Sequence, residues 1–161
     1  MTKLTYRWSQ LSDYPSLITI ENSVWNDRNN PGPVHYISIA DYQKHFKPGS
    51  QFIALLDEQP VGIISFNPRP PFESMRFTWD IGISIAQNHQ HQGIGSQLMS
   101  ALKKEAQTAG IHKISLNVLS SNPEAYQFYL KNGFVQEGQR HDEFYLNGQW
   151  VDDYAMAYFV E

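Results

Sequence analysis

The sequence predicts an α+β fold: a mixed, mostly antiparallel sheet flanked by helices. Two observations carry this. Apolar runs joined by turn-forming residues read as antiparallel hairpins toward both ends of the chain, and a single strand–helix–strand unit lies between them. Because only that central unit is of βαβ type, a doubly wound nucleotide-binding fold is not supported. The length of 161 residues suits one domain, expected over residues 3–161.

Residues 4–8 form the first expected strand. Ser12-Asp13 supplies an N-cap, with Pro15 in the first turn, for a helix over 13–24. Asn26 to Pro33 is too rich in turn formers for regular structure and reads as a mobile loop. Ser38 caps a second short helix reaching His45 or Phe46, before Lys47-Pro48-Gly49. Gln51 to Leu56 and Val61 to Phe66 are apolar runs joined by Asp57-Glu58-Gln59-Pro60, and Asn67-Pro68-Arg69-Pro70-Pro71 ends this hairpin.

From Phe77 to Ile85 the odd positions are Phe, Trp, Ile, Ile and Ile, while the even ones are Thr78, Asp80, Gly82 and Ser84. Period-two alternation makes this a strand with one apolar face. Asp80 shares its face with small residues only, which leaves room beside it for something other than core. Ile94, Leu98, Ala101, Leu102 and Ala106 then recur at helical spacing, with Gly110 at the C′ position. Ile114, Leu116 and Val118 alternate as another strand, and Ser121-Asn122-Pro123 opens a helix that ends at Asn132-Gly133. Glu143 to Leu146 and Gln149 to Phe159 flank Asn147-Gly148, the pair a type I′ turn prefers.

Composition narrows the function. Apolar residues make up 41% of the chain and charged residues 17%, so long disorder is not expected. A net charge of −4 argues against a nucleic-acid partner, which needs a basic face to displace counterions. The absence of cysteine removes disulfides, thiolate metal ligands and a thiol nucleophile together. The amino terminus lacks the apolar core of a signal peptide, and no apolar run reaches membrane-spanning length. A cytoplasmic protein without a membrane partner is the expectation.

The most informative stretch is Gln90-His91-Gln92-Gly93-Ile94-Gly95-Ser96, between the strand ending at Ile85 and the helix that follows. Glycine lets backbone approach a ligand closely, and the first turn of a helix leaves N–H groups without intrahelical partners. A pyrophosphate satisfies them. The dinucleotide fingerprint fails, because it needs a third glycine where Leu98 stands, and the P-loop fails for want of Gly-Lys-Ser or Gly-Lys-Thr.

Gln90-x-x-Gly93-x-Gly95, preceded by Asp80-Ile81-Gly82-Ile83-Ser84-Ile85 and followed by Asn122-Pro123-Glu124-Ala125-x-x-x-Tyr129-x-Lys131-x-Gly133-Phe134, resembles the GCN5-related N-acetyltransferase (GNAT) superfamily. The closing segment, Glu137-Gly138 through Phe144-Tyr145-x-Asn147-Gly148-x-Trp150-Val151-Asp152, is similar to its amino-acid and phosphinothricin N-acetyltransferase branch. The resemblance implies acetyl-coenzyme A as co-substrate, bound where two parallel strands splay apart. The backbone of Ile83, Ser84 and Ile85 would pair with the pantetheine arm like an added strand. The turn through Gln90, His91, Gln92, Gly93, Ile94, Gly95 and Ser96 would take the pyrophosphate. Many family members carry Arg where Gln90 stands, so backbone donors carry more of the affinity here. Asn122 would contact the pantetheine arm, and Lys131 the adenosine phosphates.

Acetyl transfer to an amine poses two proton problems. An alkylamine near pKa 10 is about three units from neutral at pH 7, which costs roughly 4 kcal/mol unless a base or desolvation intervenes. Asp80 is the candidate base, acting through a water because its side chain is shorter than the Glu usual in the related branch. The departing thiolate needs a proton, and Tyr129 stands at the family's general-acid position. No covalent acyl carrier is evident, so direct attack in a ternary complex is expected, with oxyanion stabilisation from a backbone N–H near Ile83 or Ser84. His89 and His91 lack the companion ligands a metal site needs, and no metal is expected.

The leading expectation is a small-molecule amine acetyltransferase, with the 26–33 loop over a compact acceptor. Acidic Glu21, Asp27 and Asp41 would suit a polyamine acceptor; Arg28, Arg69 and Arg76 would suit an amino-acid carboxylate. A protein N-terminal or lysine acetyltransferase, and a non-catalytic acyl-coenzyme A sensor, are the alternatives. Aromatic residues near the closing hairpin, Phe144, Tyr145, Trp150, Tyr154 and Tyr158, suggest sheet core or a homodimer surface.

Overall fold

The structure is a computed structural model and describes residues 3–161. In chain order its elements are β1 (Leu4–Trp8), α1 (Tyr14–Val24), α2 (Ile39–His45), β2 (Phe52–Leu56), β3 (Gln59–Phe66), β4 (Thr78–Ile85), α3 (Ile94–Thr108), β5 (Lys113–Leu119), α4 (Pro123–Lys131), β6 (Val135–Leu146) and β7 (Gln149–Phe159). The strands hydrogen-bond in the order β1-β2-β3-β4-β5-β7-β6. β1–β2, β2–β3, β5–β7 and β6–β7 are antiparallel, whereas β4 and β5 run parallel through Thr78–Asp80 against Lys113–Ser115. The predicted class, a mixed and mostly antiparallel sheet with helices, is therefore the one observed.

The chain folds as two compact units. One holds the chain through Trp25, Val34–Phe66 and Gly82–Leu102; the other holds Asn26–Pro33, Asn67–Ile81 and Lys103–Glu161. In the first, α1 buries Tyr14, Leu17, Ile20 and Val24 against Tyr42 of α2, Ile53 and Leu55 of β2 and Ile63 of β3. The spacing of the four α1 residues is that of one helical stripe. Gly62 allows close approach in the same unit: a Cβ there would lie 2.9 Å from Ile85 Cδ1 and 3.2 Å from Leu98 Cδ2. In the second unit the buried positions include Ile114, Leu116 and Val118 of β5, Met156 and Ala157 of β7, and Phe134.

Several local expectations are refined. Asp13 does not cap α1 with its side chain. Its carboxylate accepts the Gln10 N–H at 2.7 Å and both Arg7 amino groups at 2.7 and 2.9 Å, and the guanidinium holds its pKa below the usual carboxylate range. The first hairpin turns on two residues, Asp57 and Glu58, both with positive φ, rather than on four. That is the backbone a two-residue hairpin requires, and strand pairing resumes at Gln59 opposite Leu56. β6 starts at Val135, eight residues before the expected Glu143. Most of its residues are exposed and two register shifts reset its phase, so no alternating pattern marks it in the sequence. The caps on α2 and α4 form as expected, Ser38 Oγ accepting from Asp41 N and Asn122 Oδ1 from Ala125 N.

Candidate active site

The first unit contains the glycine turn between β4 and α3. After Ile85, the Ala86 N–H bonds to Val61 O at 2.8 Å and a short 3-10 turn covers Gln87–His89. His91 and Gly93 then take positive φ, +61° and +80°, and α3 begins at Ile94. A left-handed residue immediately before a helix turns the preceding amides outward, and glycine adopts it at least cost. Among the described residues the amides of Gln92, Gly93, Ile94 and Gly95 donate to no protein acceptor. They form a run of backbone donors at the positive end of a 15-residue helix.

Gln90 ties the turn to the end of β4. Its amide donates to Ile85 O at 3.0 Å, bracing the turn from inside. Ile83, Ser84 and Ile85 follow the segment of β4 that pairs with β5. A Cβ at Gly82 would meet nothing within 4 Å, so the even-numbered face of β4 is open there.

Ser84 is buried and reveals a residue that the sequence singled out only as one acid among several. Its Oγ donates to Glu21 Oε1 at 3.0 Å, while the indole of Trp25 donates to Oε2 at 2.7 Å. Glu21 is only 5% exposed, and burial raises its pKa above the ordinary glutamate value. Its charge in turn pushes up the phenols of Tyr36 and Tyr42, whose dominant perturbation is burial. The signal was present: Leu17, Ile20, Glu21 and Val24 form one stripe, and an acid inside an apolar stripe demands a reason.

The second unit contains the other predicted groups. Asp80 is not beside empty space. Its carboxylate accepts Asn67 Nδ2 at 2.6 Å and Ser115 Oγ at 2.8 Å, and Arg69 lies 3.7 Å away. Tyr129 is buried on α4, its ring meeting Phe128 and Phe134 at 5.4 and 5.8 Å. Its phenol has no hydrogen-bond partner among the described residues, and burial raises its pKa. Asp80 and Tyr129 thus have separate surroundings. Tyr126 instead bonds to Gln136 and stacks edge-on with Tyr154. Lys131 is exposed at the end of α4, and Asn122 spends its oxygen on the α4 cap. The 26–33 segment is irregular as expected and is tied to the start of α4: Ser121 Oγ donates to Arg28 O at 2.7 Å, and Arg28 pairs with Glu124 at 3.3 Å.

Comparison with known proteins places the chain in a family. Residues 14–134 match the model of the acetyltransferase (GNAT) family, a span that crosses both compact units. A ribosomal-protein-serine acetyltransferase of Escherichia coli (strain K12) is 32% identical over 68% of this chain and 60% of its own length. An L-amino acid N-acetyltransferase of the same organism is 28% identical over 98% of both chains. The chain spans less than two thirds of the length of some curated relatives it matches, 60% and 65% in two cases. Among solved structures, smu.2055 from Streptococcus mutans UA159 superposes with a TM-score of 0.86, at 30% identity and 99% coverage of each chain.

Proposed function

The chain belongs to the acetyltransferase (GNAT) family, and from that premise we propose that it moves an acetyl group from acetyl-coenzyme A to a primary amine of a small molecule. The acceptor class is an amino acid, a polyamine or a drug-like amine. The observation that carries this reading is the row of unpaired amides from Gln92 to Gly95 at the head of α3. Backbone donors converging at a helix N-terminus suit a pyrophosphate, and nothing else in the turn consumes them. An amino-acid acetyltransferase among the full-length relatives favours a small acceptor.

In this reading acetyl-coenzyme A supplies an activated acetyl thioester. The chain supplies the rest. Gln92, Gly93, Ile94, Gly95 and Ser96 hold the diphosphate, with Gln90 and His91 shaping the turn and Lys131 near the adenosine phosphates. Ile83, Ser84 and Ile85 align the pantetheine arm, with Asn122 beside it, and an amide near Ile83 or Ser84 stabilises the oxyanion. Tyr129, a neutral phenol at working pH, donates a proton to the departing sulfur. Asp80 enters as the base that works through a water; its Oδ1 accepts only the Asn67 amide and keeps a lone pair for the proton. The family model covers 14–134 as one piece, which supports a single functional domain over 3–161.

A protein N-terminus is the second reading, favoured by the ribosomal-protein-serine acetyltransferase relative. One experiment separates the readings: release of free coenzyme A thiol from acetyl-coenzyme A is followed with amino acids, polyamines, drug-like amines and N-terminal peptides. The proposal expects turnover with a small amine well above that with any peptide. Turnover with peptides alone selects the second reading, and no turnover with any acceptor removes both.

A further inference from the structure

The first compact unit contains a buried carboxylate with no counter-cation. Glu21 accepts one hydrogen bond on each oxygen, from Ser84 and from Trp25, and forms no ion pair among the described residues. The groups facing it from neighbouring elements are Ser84 on β4, Trp25 at the end of α1, Tyr36 ahead of α2 and Tyr42 on α2. His45 lies behind Tyr36, ring to ring at 5.4 Å. None of the four supplies a positive charge.

A second observation points the same way. Tyr42 is also held by Gln51 Nε2 at 2.8 Å, and Gln51 is fully buried with its Oε1 left without a hydrogen-bond partner. Glu21 thus lacks a cation among the described residues, and the Gln51 amide oxygen beyond Tyr42 lacks a donor. Native interiors seldom leave such groups unanswered. An ammonium answers the deficit at Glu21, since it brings charge and several N–H donors, and aromatic neighbours such as Trp25, Tyr36 and Tyr42 suit a cation. Space exists at Gly82, on the same face of β4 as Ser84 and two residues away.

We propose that Glu21 holds the acceptor's ammonium beside Ser84 and receives its proton: an N–H bond breaks, an O–H bond forms on the Glu21 carboxyl, and the freed nitrogen lone pair attacks the thioester carbonyl. This rests on the acetyl-transfer reading above, which sets the thioester near Ile83 and Ser84, and it replaces Asp80 as the base. The chemistry favours the exchange. A base works best when its pKa lies near working pH, and burial without a cation moves Glu21 upward in that direction. Asp80, by contrast, is surrounded by donors, one of them cationic.

The test uses the full-length chain and the best acceptor found among spermidine, L-methionine and glycine. Wild type, Glu21→Gln, Glu21→Asp and Asp80→Asn are compared for kcat/KM against pH, and calorimetry records acetyl-coenzyme A binding and acceptor binding to each. Glu21→Gln should lose at least 100-fold in kcat/KM for the amine, lose the acid-side limb of the profile, bind the acceptor more weakly, and bind acetyl-coenzyme A within twofold of wild type. Glu21→Asp should keep the limb at reduced rate. A limb that survives in Glu21→Gln, or that vanishes only in Asp80→Asn, overturns the inference while leaving acetyl transfer standing. Loss of the limb in Glu21→Asp also overturns it. If wild type acetylates none of the three amines, the inference and the small-amine reading fall together.

Discussion

Replacing Tyr129 by Phe separates chemistry from packing because of how the side chain sits. The residue is 7% exposed, its ring is fixed by Phe128 and Phe134, and its oxygen has no hydrogen-bond partner among the described residues. Removing that oxygen orphans no partner and leaves the ring contacts intact. The stability change should stay within about 0.5 kcal/mol, which for a chain of this size moves Tm by about 2 °C or less. Loss of a general acid, in contrast, costs roughly 10²- to 10⁴-fold in turnover, or about 3–5 kcal/mol of barrier. Burial raises the phenol's pKa, so the neutral form is favoured in the fold. Both its proton and its contribution to stability persist below the ordinary tyrosine value of about 10 and are lost only as pH rises past the folded value. The assay is kcat at saturating acetyl-coenzyme A, with Kd from calorimetry and Tm from calorimetric scans. A kcat fall of 100-fold or more with Kd and Tm unchanged is the expected result. An unchanged kcat refutes the acid role, and a Tm loss of many degrees refutes the packing argument.

Other perturbations follow from the same structure. Gly93→Ala keeps steric room, since the nearest atom to a new Cβ is Gln97 Nε2 at 3.8 Å, but forces a left-handed residue costing roughly 1–2 kcal/mol. Acetyl-coenzyme A affinity, by calorimetry, should fall about tenfold; unchanged affinity and Tm together would contradict the turn geometry. Glu21→Gln tests the raised carboxyl in stability. A raised pKa gives stability that is present below the ordinary glutamate range and lost as pH rises through the folded value, so the variant should gain Tm over wild type at pH 8 and lose that advantage near pH 4. Arg7→Gln acts with the opposite sign, because Asp13 is held low: the wild type's advantage should be full at neutral pH and fade as acid titrates Asp13, as thermal scans from pH 7 to pH 3 would show. Tyr145 and Trp150 stack at 4.9 Å on the closing hairpin and are both exposed, which supports a homodimer. Gel filtration should then give about twice 18.6 kDa.

What could be read from the sequence was whatever obeyed a local rule. β4 announced itself by alternation, α4 by Asn122-Pro123, the last turn by Asn147-Gly148, and the head of α3 by its glycines. β6 was hidden because a mostly exposed strand with two bulges has no period to detect. The turn at Asp57-Glu58 was overlong in the reading because two non-glycine residues adopt positive φ there, which tertiary pairing enforces and composition does not signal. For the site, the turn with unpaired amides at the head of α3 was legible, while the surroundings of the candidate acid and base groups were less so. Whether Asp80 stands in open space depends on Asn67, Arg69 and Ser115, all three outside β4 and Ser115 on β5, 35 residues along the chain. The surroundings of Glu21 likewise come from Ser84, Tyr36 and Tyr42, brought together only by folding.

Calorimetric titration of the whole chain with acetyl-coenzyme A, set against acetyl-pantetheine, bears most directly on the phosphate turn. The two ligands share the thioester and the arm, and only the first carries the diphosphate that the amides of residues 92–95 are proposed to meet. Four backbone donors at a helix head predict affinity for acetyl-coenzyme A at least 100-fold above that for acetyl-pantetheine. Equal affinity for both, or none for either, would contradict the account.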